Sequence, residues 1–484
     1  MFASSRSPEP DPRSPAGVLA DYRVTVPEGI EVATGPVIPD QGNGKTHPGH
    51  SVSFSAIASD VGAIYGLQAF TYALPIITLA YLAHVLGPDG LGLVAFGQSV
   101  GGYVTVLVEY GFHLTLTREV ARNRNDAPKL SQLLAAVWVA KAILSLAAIP
   151  LLFGFTLFGK GYDIELASVV FLWSISQAFN LQWYLHGTEQ LRLSYVFDAA
   201  GRLVALIGIF LTVKNPGQIM LVFVWQAAGG ALALATSLPV AYKANTFVLP
   251  RFSAVRDVLK LGWPMFVQNG CAVLYPSGNI IILGIVTSSA VIGLYSGPDR
   301  IIRGAVSLLV PVLVSAYPRI SRVAQSSPSR GASLGAVTVW TNTAIGAALT
   351  LVLVIFAPLI VRLALGSSFV AAVSIMRILA LIPLLRSITM AISFAWMMPF
   401  GYERDSALVY VVSSGAGLVL AALAAVKWGA RGAAWVTVFI EFSVVVAQLG
   451  ALSRGQFNPA KSLWNRETRQ MMATGLQAMY SKLR

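Results

Sequence analysis

Between residues 57 and 452 the chain is a succession of apolar stretches, each long enough to cross a lipid bilayer, with only short polar breaks between them. A spanning helix needs about 20 predominantly apolar residues. Inside hydrocarbon every backbone N–H and C=O must be satisfied within the protein, which here favours helices. Twelve stretches meet that length: 57–85, 91–117, 131–156, 166–186, 194–213, 219–242, 258–285, 291–317, 333–361, 369–397, 406–426 and 432–452. Only 11% of the residues are charged, against about 25% in soluble proteins. No segment is left over for a large soluble catalytic domain. A single cysteine, Cys271, provides neither an internal disulfide nor a cysteine metal cluster. The pattern predicts an all-α polytopic membrane protein.

Residues 1–53 differ in kind. They hold eight of the 25 prolines and no apolar run, which predicts a disordered tail. Gly42 to Thr46 resembles the end of a phosphate loop, but Pro39 occupies the position of its first glycine, and no strand or helix flanks it. At the other end, Phe457 to Arg484 mixes Leu463, Trp464, Met471, Met472 and Leu476 with basic residues, as an amphipathic interfacial helix does. The predicted organisation is a tail (1–53), two six-helix lobes (54–245 and 246–452) and an amphipathic cytoplasmic tail (453–484).

The formal charge of +13 suggests nucleic acid until the basic residues are placed. If the N-terminus lies inside, the loops on that side and the C-terminal tail carry 19 Lys and Arg residues, and the opposite loops carry five. Such asymmetry orients a membrane protein with its basic side toward the cytoplasm. It predicts cytoplasmic N- and C-termini, contact with anionic lipid, and no nucleic-acid partner.

Sliding the chain on itself by 201 residues pairs spans 1–2 with spans 7–8 without a gap. Between Pro75 and Arg118 seven positions are identical, among them Pro75/Pro276, Gly92/Gly293 and Arg118/Arg319. Repeats with an even number of spans are parallel, related by an axis along the membrane normal, with a substrate path where they meet.

Ionisable groups inside spans are costly and mark cavities, pairs or pathways. Apart from Asp60 and Lys260, close to span ends, six basic residues lie there, Lys141, Arg202, Arg300, Arg303, Arg377 and Arg386, with four acids, Glu109, Asp198, Asp299 and Glu441. Asp198 and Arg202 stand four apart on one helix and suit a local pair. Arg300 and Arg303 share only Asp299, which leaves one positive charge locally unmatched. Arg377 sits near a span end, where snorkelling is open to it, and Lys141 has Glu109 as an available partner on another helix. The interior balance of +2 predicts a cationic cavity for a polyanionic substrate, with the six basic residues as its candidate contacts. Arginine in particular matches phosphate oxygens bidentately. The four acids are candidates for ion coupling or pairing. The aromatics Trp138, Trp173, Trp183, Trp225 and Tyr184 read mainly as packing and interface residues.

Pro75 through Asp126, with LPIITLAYLAHVLGPDGLGLVAFGQSV and VEYGFHLTLTREVARNRND, resembles the opening hairpin of the polysaccharide-biosynthesis flippases. These translocate O-antigen and exopolysaccharide repeat units and belong to the multidrug/oligosaccharidyl-lipid/polysaccharide exporter superfamily. Gln182 to Glu189 is similar to the family's Trp-x-x-x-Gly-x-Glu stretch. Gly293 to Ser296 and Tyr317 to Ser321 fit its seventh and eighth spans. The resemblance implies about twelve helices in two pseudo-symmetric lobes around a central cationic cavity. It also implies alternating-access movement of undecaprenyl-pyrophosphate-linked oligosaccharide from the cytoplasmic to the periplasmic leaflet of a bacterial inner membrane. No cofactor is implied; a polymerase and export machinery are implied as partners. Where the family often carries Arg in the "YLA-R-VLG" slot, this chain has His84, a titratable residue and a further coupling candidate.

A drug or cation antiporter of the same superfamily shares the fold but requires an anionic pocket, which the +2 interior opposes. A membrane polysaccharide polymerase requires a sizeable outer loop for its catalytic groups, and the outer loops here are short. The sequence therefore favours a transporter over an enzyme.

Overall fold

A computed structural model describes residues 54–157, 161–453, 465–466, 468–472 and 474. The tail 1–53 and most of the expected C-terminal interfacial helix lie outside the described residues. Residues 57–484 form one compact unit, and no strand occurs among those described.

The first half comprises α1 (Phe54–Glu109), α2 (Phe112–Arg122), α3 (Ala127–Thr156), α4 (Ile164–Ala178), α5 (Gln182–Gly187), α6 (Leu191–Thr212) and α7 (Ile219–Tyr242). The second comprises α8 (Phe252–Val286), α9 (Ser289–Ser307), α10 (Val310–Ser326), α11 (Pro328–Ile355), α12 (Ala357–Ala364), α13 (Ala372–Leu379), α14 (Ile382–Ile392) and α15 (Glu403–Ser453). A π-helical turn, Ser393–Met397, follows α14.

Two of these elements are too long for one crossing, and both double back. In α1 the turn lies at Gly87, whose φ of 65° is open to glycine, followed by Pro88, which has no N–H to continue the ladder. Ile76 lies against Gly304, while Gln98 receives a hydrogen bond from Arg300. In a straight helix Ile76 and Gln98 would be about 33 Å apart, yet both touch one turn of α9. Likewise α15 breaks at Gly429 (φ 55°), and Gly432 returns to the Ala424 carbonyl eight residues earlier. Among the described residues nine helical stretches are long and apolar enough to cross a membrane; counting the two that double back as two each, and adding Ser277–Val286 of α8, gives the twelve crossings that the hydropathy predicts. Large apolar side chains face outward along them, as lipid contact requires: Leu211 is 70% exposed and Trp428 62%.

The internal repeat is legible in the contacts. A Cβ on Gly92 would lie 1.8 Å from the Ser289 carbonyl oxygen, and one on Gly293 would lie 1.9 Å from the Pro88 carbonyl oxygen. Residues 289 and 293 are 88 and 92 advanced by 201. Each half thus presents the same two positions to the other, which is the signature of a twofold contact. Only backbone without side chains can approach so closely. Ser289 Oγ adds a hydrogen bond to Asp89 at 2.8 Å.

Burial divides by membrane face. At the Gly87 face one continuous core unites both halves, from Leu79, Phe96 and Phe223 to Ile292, Met376 and Val438. At the opposite, basic face there are two cores. One holds Phe112, Leu134 and Trp183, with Val255 and Val258 from the start of α8. The other holds Leu313, Ile320 and Trp396. The halves are fused at one face; at the other, the first half packs with the start of α8, and α10, α11 and the π-helical turn pack in a core of their own.

Candidate functional site

A cavity of about 850 Å³ lies between the first half and α9. Its walls come from α1 (Leu74 to Leu82, and Gln98), α4, α5, α6, α7 and the C-terminal half of α9. Close approach of α6 and α7 shapes one side, where a Cβ on Gly201 would meet the Gly229 carbonyl oxygen at 2.3 Å.

Three of the six predicted basic residues line the cavity: Arg202, Arg300 and Arg303. Arg202 is matched by Asp198 at 2.8 Å, the local pair that their spacing suggests. Arg303 is held by both carboxylate oxygens of Asp299, at 2.6 and 3.1 Å. Asp299 is 3% exposed and sits behind the lining, so it fixes the guanidinium from the rear. Arg300 has no carboxylate within ion-pair distance among the described residues. Its contact is neutral, a 2.5 Å hydrogen bond to Gln98 Oε1. Gln98 in turn donates from Nε2 to Gln226 Oε1 at 3.2 Å. The lining therefore keeps one uncompensated cation, Arg300, beside a second held by its own acid.

The other three basic residues are elsewhere. Lys141 is 2% exposed and lies outside the cavity lining. It donates to the Ala178 carbonyl at 2.6 Å, at the C-terminus of α4, where a positive charge meets the negative end of the helix dipole. Glu109 acts on it electrostatically. The break between α4 and α5, inside the single span expected over 166–186, supplies the free carbonyl that Lys141 binds. Arg386 pairs with Glu441 across α14 and α15 at 3.0 Å. Arg377 is exposed, outside the cavity lining. His84 is also exposed, its Nδ1 2.7 Å from the Ala80 carbonyl and its ring beside Gly366.

The Arg386–Glu441 pair gives a clean stability test. Glu441 is 4% exposed and its Oε2 has no hydrogen-bond partner among the described residues. Removing one partner of a buried pair costs about 3–5 kcal/mol, because the other charge is left stranded. Arg386→Met is therefore expected to lower the melting temperature in detergent markedly, and adding Glu441→Gln should recover most of the loss. Equal melting temperatures for the single and double variants would remove the pair from the stability account.

Charge counting alone misses the polar half of the cavity. Gln98, Gln177, Asn180, Gln182 and Gln226 all line it, together with Trp173. Asn180 is used internally, donating to the Gln177 carbonyl and accepting from the Gln182 N–H. The side chains of Gln177 and Gln182 make no hydrogen bond to any described residue. The usable signal in the sequence is five carboxamides within or beside apolar spans, where each must find a partner or face water.

The model of one family, described as polysaccharide biosynthesis protein, matches residues 57–324. A putative O-antigen transporter of Escherichia coli (strain K12) is 26% identical over 361 residues, covering 73% of this chain and 86% of the relative. A putative O-antigen transporter of Shigella dysenteriae is 22% identical over 392 residues, covering 80% and 98%. Among solved structures, a lipid II flippase MurJ in an inward closed conformation superposes with a TM-score of 0.65 at 15% identity, covering 86% of this chain and 92% of that one. An inward-facing multidrug resistance MATE family transporter of the MOP superfamily gives 0.61 at 15% identity, covering 80% and 94%. These two share the fold of twelve spans in two lobes. With the family match over more than half of its length, this multi-pass membrane protein belongs to the polysaccharide biosynthesis protein family.

Proposed function

We propose that the chain flips a lipid-linked oligosaccharide, carried on undecaprenyl pyrophosphate, from the cytoplasmic to the periplasmic leaflet of the bacterial inner membrane. The observation that carries this reading is Arg300, a guanidinium lining a membrane-embedded cavity whose hydrogen bond among the described residues goes to a carboxamide and not to a carboxylate. A diphosphate supplies the oxygens that such a group lacks. The relatives named as O-antigen transporters support the same class of cargo. An undecaprenyl tail is itself soluble in the bilayer, so only the diphosphate and sugars require a polar route. The lobes divide at 245/246, each with six spans.

The basic face is the cytoplasmic one in this reading, as is the side of both termini. Fusion of the halves at the Gly87 face and their separation at the basic face then describe an inward-facing state, with the cavity waiting for cytoplasmic cargo. Alternation would exchange which face is fused. Asp198, Asp299 and Glu441 serve as pairing residues in this scheme, and Glu109 with Lys141 as a support beneath α4.

The test is reconstitution of the full-length protein into proteoliposomes loaded with a fluorescent short-sugar undecaprenyl diphosphate in one leaflet. Protein-dependent appearance of the probe in the other leaflet is expected. Movement no faster than in empty liposomes would overturn the assignment.

A further inference from the structure

Resting on the reading that a diphosphate is held at α9, we infer that the cavity sorts its cargo by charge. The wall facing α9 is a subsite for an uncharged, hydroxyl-rich glycan, and sugars bearing a carboxylate next to the diphosphate are refused.

Two observations meet here. First, the cationic side has no surplus. Arg202 is paired with Asp198 and Arg303 with Asp299, which leaves Arg300 as the one cation of the lining with no acid within ion-pair distance among the described residues. A doubly charged diphosphate already outweighs it. A further carboxylate beside the diphosphate would meet no unmatched cation, and charge taken even partly out of water without a partner is costly. It would also lie near the carboxylate of Asp198, itself part of the lining.

Second, the remaining wall is built of groups that bind hydroxyls. Gln177 and Gln182 line the cavity, and their side chains make no hydrogen bond to a described residue. Gln226 spends its Oε1 on Gln98, and its amide N–H groups make no bond to a described residue. Each carboxamide offers both donors and an acceptor, which is what a sugar hydroxyl requires and what a carboxylate uses only by half. Trp173 contributes an aromatic surface on the same wall. At about 850 Å³ the volume is in the upper range for small-molecule sites, so the cavity holds the first sugars with the diphosphate and not an extended polymer.

The experiment uses the full-length protein in detergent and isothermal titration with three probes. These are a short-chain prenyl diphosphate, the same lipid bearing N-acetylglucosamine, and the same lipid bearing glucuronic acid. The N-acetylglucosamine lipid should bind about tenfold tighter than the bare diphosphate, the gain expected from about one or two net hydrogen bonds. The glucuronic acid lipid should bind more weakly than the bare diphosphate. Gln177→Leu with Gln182→Leu should erase the gain and leave the bare diphosphate unchanged, since neither side chain holds another protein group. Equal or tighter binding of the glucuronic acid lipid, or a gain that survives both substitutions, overturns the inference while the diphosphate reading stands. If the bare diphosphate does not bind at all, the parent reading falls and takes this one with it.

Discussion

Replacing Arg300 and Arg303 together by glutamine is expected to abolish glycan export while the protein still inserts and folds. Hydrogen bonds to charged groups contribute about 1.5–3 kcal/mol each. Arg303 spends Nε and Nη2 on Asp299 but keeps Nη1 as a donor, so under the proposed function the variant loses one contact to the diphosphate from each arginine, roughly 10²- to 10⁴-fold in the occupied state. The two positions differ in what they leave behind. Arg300 touches a carboxamide, so its loss strands nothing. Arg303 leaves Asp299, buried at 3% exposure, without its counterion. The variant is therefore best built with Asp299→Asn, so that a stability defect is not mistaken for a transport defect. The readout is cell-surface polysaccharide in a strain whose own copy is deleted, with membrane abundance of the protein measured alongside. Normal export by a stably inserted triple variant would sink the cationic handle as the basis of transport.

The second large effect concerns the crossing of the two hairpin tips. Gly92 and Gly293 approach carbonyl oxygens so closely that even alanine does not fit. Backbone atoms cannot move aside as a flexible side chain does, so the tips must part. Overpacking of this kind costs about 1–3 kcal/mol. Charged to the state fused at the Gly87 face alone, it shifts the population roughly 5- to 150-fold toward the alternative. Gly293→Ala is thus expected to open the cavity at the Gly87 face. With Cys271 replaced by serine and a single cysteine at Ser307, which lines the cavity, a membrane-impermeant thiol reagent reports the change. In the parent, labelling should come from the basic side. In Gly293→Ala it should come from the Gly87 side as well. An unchanged labelling pattern would show that the crossing does not set the equilibrium.

Much of this architecture is legible in the sequence because lipid imposes a simple rule on the backbone. Twelve apolar stretches are found near their expected limits, and the 201-residue offset that pairs Gly92 with Gly293 reappears as a reciprocal contact. The Asp198–Arg202 pair follows from helical spacing alone. What the sequence hides is which way a buried charge points across helices. Lys141 and Arg386 look like cavity residues in the sequence because no acid lies at i±3 or i±4. Their partners are instead a carbonyl freed by an unforeseen break after Ala178 and a carboxylate more than fifty residues away. Neither leaves a local trace. The carboxamides of the cavity wall are overlooked for a different reason: they carry no formal charge, so net electrostatics passes over them.

The cavity draws nearly all of its walls from the first half, and from the second only one stretch of α9. Under the proposed function this separates the invariant part of the cargo from the variable part. The phosphate handle, common to every lipid carrier of this type, is grasped from one side. The glycan is read from the other. A lineage can then retune its sugar preference by changing a few side chains on α4, α5 and α7, with the arginine grip and the glycine crossing between the halves untouched.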